Sequence, residues 1–351
     1  LQLEDKCLLL VQPHISSIMA SFTSTFHQQE LARTLMCQGD ATSMTRLRLV
    51  ARGQYENFRG PLVECLLSKL RRDDVHPSTI QALAPASRKG DTEVVGAIAA
   101  RIDHASQEVR KCAMQALVAV ATRGDACAVA AVATRFEDSD WRMRQAAVEA
   151  LAQVAAKGDT GAVNAIKARL QHSNNDIRRV AIEALALVAE EGDKDAISAL
   201  TLQMEEADCN LRRVALLAFA QVARKSDATA LVIARLTDAD CDVRRAAVEA
   251  LSLVSRGSPD VLKSMCSCLE DENWVVRRCA VQALGELGRK GCNTVFAAVM
   301  SKLKDPKSNV RRAAVEALVK LVDKGDTAAI SAVTALQADT DRVVKRVAKE
   351  A

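Results

Sequence analysis

Apolar and polar positions along this chain alternate with the period of an α-helix, and that pattern itself recurs. In Val243-Arg244-Arg245-Ala246-Ala247-Val248-Glu249-Ala250-Leu251, the anchor Val243 and the residues four, seven, eight and eleven later fall on one helical face. These are Ala247, Ala250, Leu251 and Val254. The string returns almost unchanged from Met143 to Leu151 and from Val310 to Leu318. Taking the apolar residue before the first Arg as anchor, the copies stand at Val75, Val109, Met143, Ile177, Leu211, Val243, Val276, Val310 and Val344. The steps between them are 34, 34, 34, 34, 32, 33, 34 and 34 residues. A fixed period of this size means stacked copies of one supersecondary unit.

The polar positions punctuate each copy as a helical hairpin. Gly90-Asp91, Gly124-Asp125, Gly158-Asp159, Gly192-Asp193 and Gly325-Asp326 pair a helix-stop residue with a helix-start residue. In the Met143 copy this predicts a first helix over roughly 126–136, a turn at 137–140 and a second helix over about 141–157. Three residues before the anchor stand Ser106, Asp140, Asn174, Asp208, Asp240, Asn273 and Asp341, all favoured N-caps. Lys307 breaks the series, and the adjacent Ser308 is expected to take over. Alanine at two stripe positions lets neighbouring helices approach closely.

A second regularity is electrostatic. Arg110, Arg144, Arg178, Arg212, Arg244, Arg277 and Arg311 each follow an anchor, in a first turn whose dipole disfavours a cation by a few tenths of a kcal/mol. Five residues before the anchors stand Asp138, Glu206, Asp238, Asp271, Asp305 and Asp339, with His104 and His172 in place of the acid in two copies. Stacking would alternate acid and Arg along the turn edge as a ladder of charge-assisted bonds. The two histidines read as variants of that ladder rather than as metal ligands.

An acidic turn, Val-Arg and an Ala-rich second helix together resemble HEAT repeats, and the short period is similar to the compact HEAT-like repeats of phycobilisome lyases and their relatives. The resemblance covers roughly residues 60–351. It implies an all-α, right-handed solenoid of about eight to nine stacked helix–turn–helix repeats, with second helices lining the concave face. Residues 1–60 fit the pattern poorly. Ile15, Ile18, Met19, Phe22 and Phe26 give one amphipathic helix, and the segment reads as an N-terminal helical cap or degenerate repeats. Residues 61–351 read as the solenoid, cut short at its C-terminal end, because the last copy stops seven residues after its anchor.

Composition narrows the function classes. Of 351 residues 49% are apolar but only 3% aromatic, so the core is built from small and aliphatic side chains. Net charge is +4, from 48 basic and 44 acidic side chains, too diluted to demand a polyanionic partner. No apolar run is long enough to insert into a membrane. Eleven cysteines without paired spacing suit a reducing compartment, the cytoplasm first among them, with nucleus or organelle matrix as alternatives. Cys266 and Cys268 form a lone C-x-C, weak for zinc.

The sequence points to no catalytic residue, metal or cofactor. A di-iron hydroxylase of this architecture uses paired His-Glu ligands, and none of the five histidines is followed by Glu. A bilin-handling, lyase-like role is the alternative that the repeat type suggests, but the aromatic cluster a linear tetrapyrrole wants is missing, and no other small-molecule substrate is expected. Nucleic-acid binding meets a different objection. The concave positions two after the anchors run Lys111, Gln145, Arg179, Arg213, Arg245, Arg278, Arg312 and Arg346. Those six after the anchors run Gln115, Glu149, Glu183, Leu217, Glu249, Gln282, Glu316 and Glu350, so most of the field cancels within a repeat.

The balance breaks where Arg213 meets Leu217 and Arg278 meets Gln282, in the stretch that also contains the 32- and 33-residue steps. Trp274, two before its anchor, stands where other copies have Asn, Cys, Ser or Arg, as does Trp141. Trp and Arg are favoured anchors of protein interfaces. The expectation is a non-enzymatic scaffold or adaptor. Its contact zone would comprise Arg213, Leu217, Arg245, Trp274, Arg278 and Gln282, with Trp141 as a second anchor. The partner would be an acidic helical or extended protein segment, or subunits of a larger assembly.

Overall fold

The computed structural model describes residues 59–351 apart from 73, 74, 256 and 324, so the expected helix around Ile15–Phe26 lies outside the described residues. Eighteen α-helices and short 3-10 turns make up the described chain, with no strand among the described residues. The chain divides into two compact units at Ala156/Lys157.

In the first unit the helices are α1 (Arg59–Leu70), α2 (Pro77–Ala86), α3 (Thr92–Ala99), α4 (Gln107–Val120), α5 (Ala126–Thr134) and α6 (Trp141–Val154). The second unit contains α7 (Thr160–Lys167), α8 (Asn175–Val188), α9 (Lys194–Gln203), α10 (Cys209–Val222), α11 (Lys225–Ala234) and α12 (Cys241–Val254). It continues through α13 (Pro259–Ser267), α14 (Trp274–Leu287), α15 (Asn293–Ser301), α16 (Ser308–Leu321), α17 (Thr327–Ala335) and α18 (Arg342–Glu350). Odd-numbered helices are the first and even-numbered the second of each hairpin. Within each unit, successive second helices pack directly on one another, which is the all-α solenoid arrangement.

Every anchor is buried, from Val75 at 7% exposed to Val243 and Val310 at 0%. Ala247, Ala250, Leu251 and Val254 are buried with Val243, as the spacing predicts. The Val75 copy keeps the stripe through Thr79, Ala82, Leu83 and Ala86, yet its helix starts only at Pro77. Proline at N1 has a fixed φ and no N–H to lose, so it sets the start there.

Two sequence expectations need correction. The second helix of the Met143 copy ends at Val154, not near Lys157, because Ala155 is already extended and begins a link to Gly158. Ser308 does not cap α16: it is the first helical residue, and Lys307 holds the N-cap position without a side-chain bond.

The inter-repeat links also join neighbours. Gly90, Gly124, Gly158 and Gly192 adopt positive φ of 84, 86, 73 and 85°, and each turns its N–H toward the last residue of the next second helix. The bonds are Gly90 to Val120 (2.7 Å), Gly124 to Val154 (2.6 Å), Gly158 to Val188 (2.8 Å) and Gly192 to Val222 (2.7 Å). Each therefore satisfies a helix-end carbonyl of the following copy. The 32-residue step is absorbed here. No Gly-Asp follows α10, and α11 begins directly after Arg224, whose side chain makes no capping bond. The seven second helices from α4 to α16 all keep 14 residues, so the shortening falls on the link and spares the packed helix.

Candidate functional site

The first Arg of each phrase is structural. Its guanidinium donates to the carbonyls of its own turn and, where the next copy carries the turn acid, to that acid. Arg244 reaches Asp238 O (2.9 Å), Ala239 O (3.0 Å) and both carboxylate oxygens of Asp271 (2.7 and 3.0 Å). Arg277 repeats the set with Asp271 O, Glu272 O and Asp305, and Arg311 with Asp305 O, Pro306 O and Asp339. Arg212–Asp238 (2.8 Å) and Arg178–Glu206 (3.8 Å) extend the ladder in the second unit, and Arg110–Asp138 (3.1 Å) belongs to the first. Each aspartate also accepts the N–H two residues on, as Asp305 does from Lys307 (2.8 Å). The own-turn carbonyls are a part of this network that the sequence spacing did not reveal.

Charge follows geometry. For Asp238, Asp271 and Asp305, burial pushes the carboxyl upward, but the arginine and backbone donors outweigh it and hold each below the ordinary carboxylate value. Asp339 is lowered chiefly by Arg311. His104 and His172 do part of the acid's work: their Nδ1 atoms accept the N–H of Ser106 and of Asn174, both at 3.0 Å. That needs an unprotonated Nδ1, so neither is offered to a metal through that atom. Among the described residues Asp240, Cys241 and Asp242 bring three donor atoms within 4.8 Å of one another, but Asp240 already accepts the N–H groups of Asp242 and Val243 as an N-cap.

A further polar ladder escaped the sequence reading. The first residue of a second helix bonds the N-cap of the next: Asn175 Nδ2 donates to Asp208 (2.7 Å), and Gln107 donates to Asp140. Ser308 bonds Asp341 in the same register. Trp274 replaces this polar residue where the next N-cap position is Lys307.

The second Arg of the phrase behaves differently. Arg179 pairs with Glu183 (2.8 Å), Arg245 with Glu249 (2.6 Å) and Arg312 with Glu316 (3.7 Å), the cancellation expected for a solvated face. Arg213 and Arg278 form no ion pair with any described residue, since Leu217 and Gln282 occupy the acid's place. Instead Arg278 lies over Trp274, its Cζ 5.5 Å from the ring centroid. Arg213 and Leu217 on α10, Arg245 on α12, and Trp274, Arg278 and Gln282 on α14 therefore share the open side of three consecutively packed helices. Gln282 is exposed and the others are half-buried.

Trp141 belongs to the first unit, at the start of α6, 59% exposed and with Arg142 over its ring at 5.3 Å. Leu187 and Leu253 were missed by the sequence reading. They stand ten after their anchors, one turn beyond Glu183 and Glu249 on the same row, and are 42% and 54% exposed. Extending the two-and-six row by one more turn would have found them.

With this geometry in place, comparison with known proteins decides the family. A family model for HEAT repeats matches the chain over residues 98–186, 129–220, 197–285 and 262–351. The chain is a HEAT-repeat protein. No curated protein matches it in sequence. Among solved structures, Kap121p bound to Pho4p is similar at a TM-score of 0.54 with 14% identity, covering 92% of this chain and 45% of that one. Kap121p bound to Nup53p gives 0.53 over the same shares, again at 14% identity. YibA of E. coli is 19% identical over 72% of this chain and 90% of its own, with a TM-score of 0.47. At these identities the likeness concerns the fold, and this HEAT chain spans less than half of Kap121p. No helix among the described residues is long and apolar enough to cross a membrane.

Proposed function

We propose that this HEAT-repeat chain is a non-enzymatic scaffold that holds an acidic protein segment, free or within a larger assembly, on the open side of α10, α12 and α14. The observation that carries the reading is the interrupted Arg–Glu pairing. Where neighbouring copies neutralise the second Arg internally, Arg213 and Arg278 are left for an external carboxylate. An Arg–carboxylate contact with a partner is charge-assisted and can be bidentate. Trp274, with Arg278 stacked on it, offers the aromatic surface that interface anchors provide. Trp141, with the adjacent Arg142 over its ring, supplies a second anchor in the first unit. The Kap121p structures, each solved with a bound protein, are consistent with this use of the fold. The nine described cysteines are free thiols, in keeping with a reducing compartment.

The test is affinity capture with quantitative mass spectrometry, comparing the wild-type chain with W274A/R278A and with R213E/R278E. Proteins retained by the wild type should fall at least tenfold with both variants, while circular dichroism shows unchanged helicity. Retention unaffected by either variant removes the proposal.

A further inference from the structure

The arginines are not alone on this face. Leu187 on α8 and Leu253 on α12 are 42% and 54% exposed, and Leu217 on the intervening α10 is half-buried. All three lie on the row that runs two, six and ten residues after the anchor, on helices packed consecutively in the second unit. Arg179, Arg213, Arg245 and Arg278 lie at the start of the same row. One side of the second unit thus carries a basic edge and, one to two turns further along the helices, three leucines.

We infer that this surface takes an amphipathic helix lying across the second helices, its apolar stripe on Leu187, Leu217 and Leu253 and its acidic flank toward Arg213 and Arg278. The inference rests on the acidic-segment reading above and specifies the form of that segment. Two dimensions fit a helix. From the position two after an anchor to the position ten after it is eight residues, about 12 Å along a second helix at the usual rise. A helix with its side chains is about 10–12 Å across and can cover both features. The spacing along the stack agrees: neighbouring helices lie about 8–10 Å apart, and seven residues of an α-helix rise about 10.5 Å. Heptad-spaced apolar residues therefore meet successive leucines, and acids two heptads apart meet Arg213 and Arg278. Charge supplies polarity, since Glu183 and Glu249 already neutralise Arg179 and Arg245 and leave two localised demands for carboxylate.

The test uses a fluorescein-labelled, alanine-based helical peptide of about 22 residues, with three heptad-spaced leucines and glutamates along one flank. There are two controls, one of the same composition with the leucines scrambled and one that differs only by a central proline, which breaks the helix. Fluorescence anisotropy should show saturable binding of the first peptide to the full chain and at least tenfold weaker binding of both controls. L187N/L253N should weaken the first peptide at least tenfold, and because both leucines are exposed the thermal midpoint should fall by no more than about 4 °C. R213E/R278E should weaken it as well, and more so at low salt. Loss with R213E/R278E but not with L187N/L253N overturns the amphipathic helix and keeps the acidic segment. Loss with L187N/L253N alone overturns the acidic-segment reading on which this one rests. No saturable binding to the wild-type chain, or equal binding of the proline control, overturns the inference outright.

Discussion

At the scale of single residues, two adjacent arginines in one phrase have opposite fates. Arg277 is fixed by two carbonyls of its own turn and by Asp305, whose side chain is almost wholly buried. Arg278, the next residue, pairs with no acid and lies over Trp274. Replacing Arg277 by Met should lower stability by about 3 kcal/mol, because it strands a buried carboxylate. Replacing Arg278 by Ala should change it by only about 1 kcal/mol, the worth of a partly exposed cation–π contact with no ion pair lost. Urea unfolding midpoints of the two variants check this, and equal midpoints would refute the division of labour. The sequence distinguished the positions only through their registers with respect to the turn acid and the Glu row. It could not show that the structural arginine also binds its own turn carbonyls, since backbone acceptors leave no letter in the sequence.

At the scale of the element, the links decide how copies join. Gly192 holds a φ of 85° and donates to Val222 O at 2.7 Å. A Cβ there would also press on the Arg224 side chain. Gly192→Ala should therefore destabilise by about 1–2 kcal/mol. Gly96 sits inside α3 with ordinary φ, and a methyl group added there would meet nothing within 4 Å, so Gly96→Ala should stabilise by about 0.5–1 kcal/mol. Thermal midpoints moving in the same direction for both would contradict this account. Gly-Asp pairs marked the links correctly because a left-handed residue and an N-cap are local demands. Ser308 was misjudged because capping depends on which residue enters the helix first, and α16 begins one residue earlier than a Ser308 cap requires.

At the scale of the whole molecule, the turn ladder makes the stability of the second unit depend on pH. Asp238, Asp271, Asp305 and Asp339 are held below the ordinary value of 3.8 in the folded chain. The unfolded chain therefore binds protons more readily. The ladder's contribution is complete well above 3.8 and is lost as pH falls through that value and the lower folded ones. The thermal midpoint should be flat between about pH 5 and 7 and drop steeply below about pH 4, with a shallower drop in D271N/D305N, which has fewer carboxylates to protonate. A midpoint insensitive to acid would show that the ladder adds nothing. Because each copy touches only its neighbours, such losses accumulate along the stack instead of resting on one core.

The sequence by itself determined the repeat, its helical hairpins, the buried anchors and the pairing of six of the seven first arginines with the next acidic turn. Those features follow from local periodicity, from capping chemistry and from a register that returns with every copy. The tertiary structure decided which polar groups meet across copies, the glycine N–H on the next helix end and the helix starts Gln107, Asn175 and Ser308 on the following N-caps, and it left Leu187 and Leu253 exposed on the second helices. The polar contacts join residues about thirty positions apart, and only the stacked backbone brings them within reach of one another.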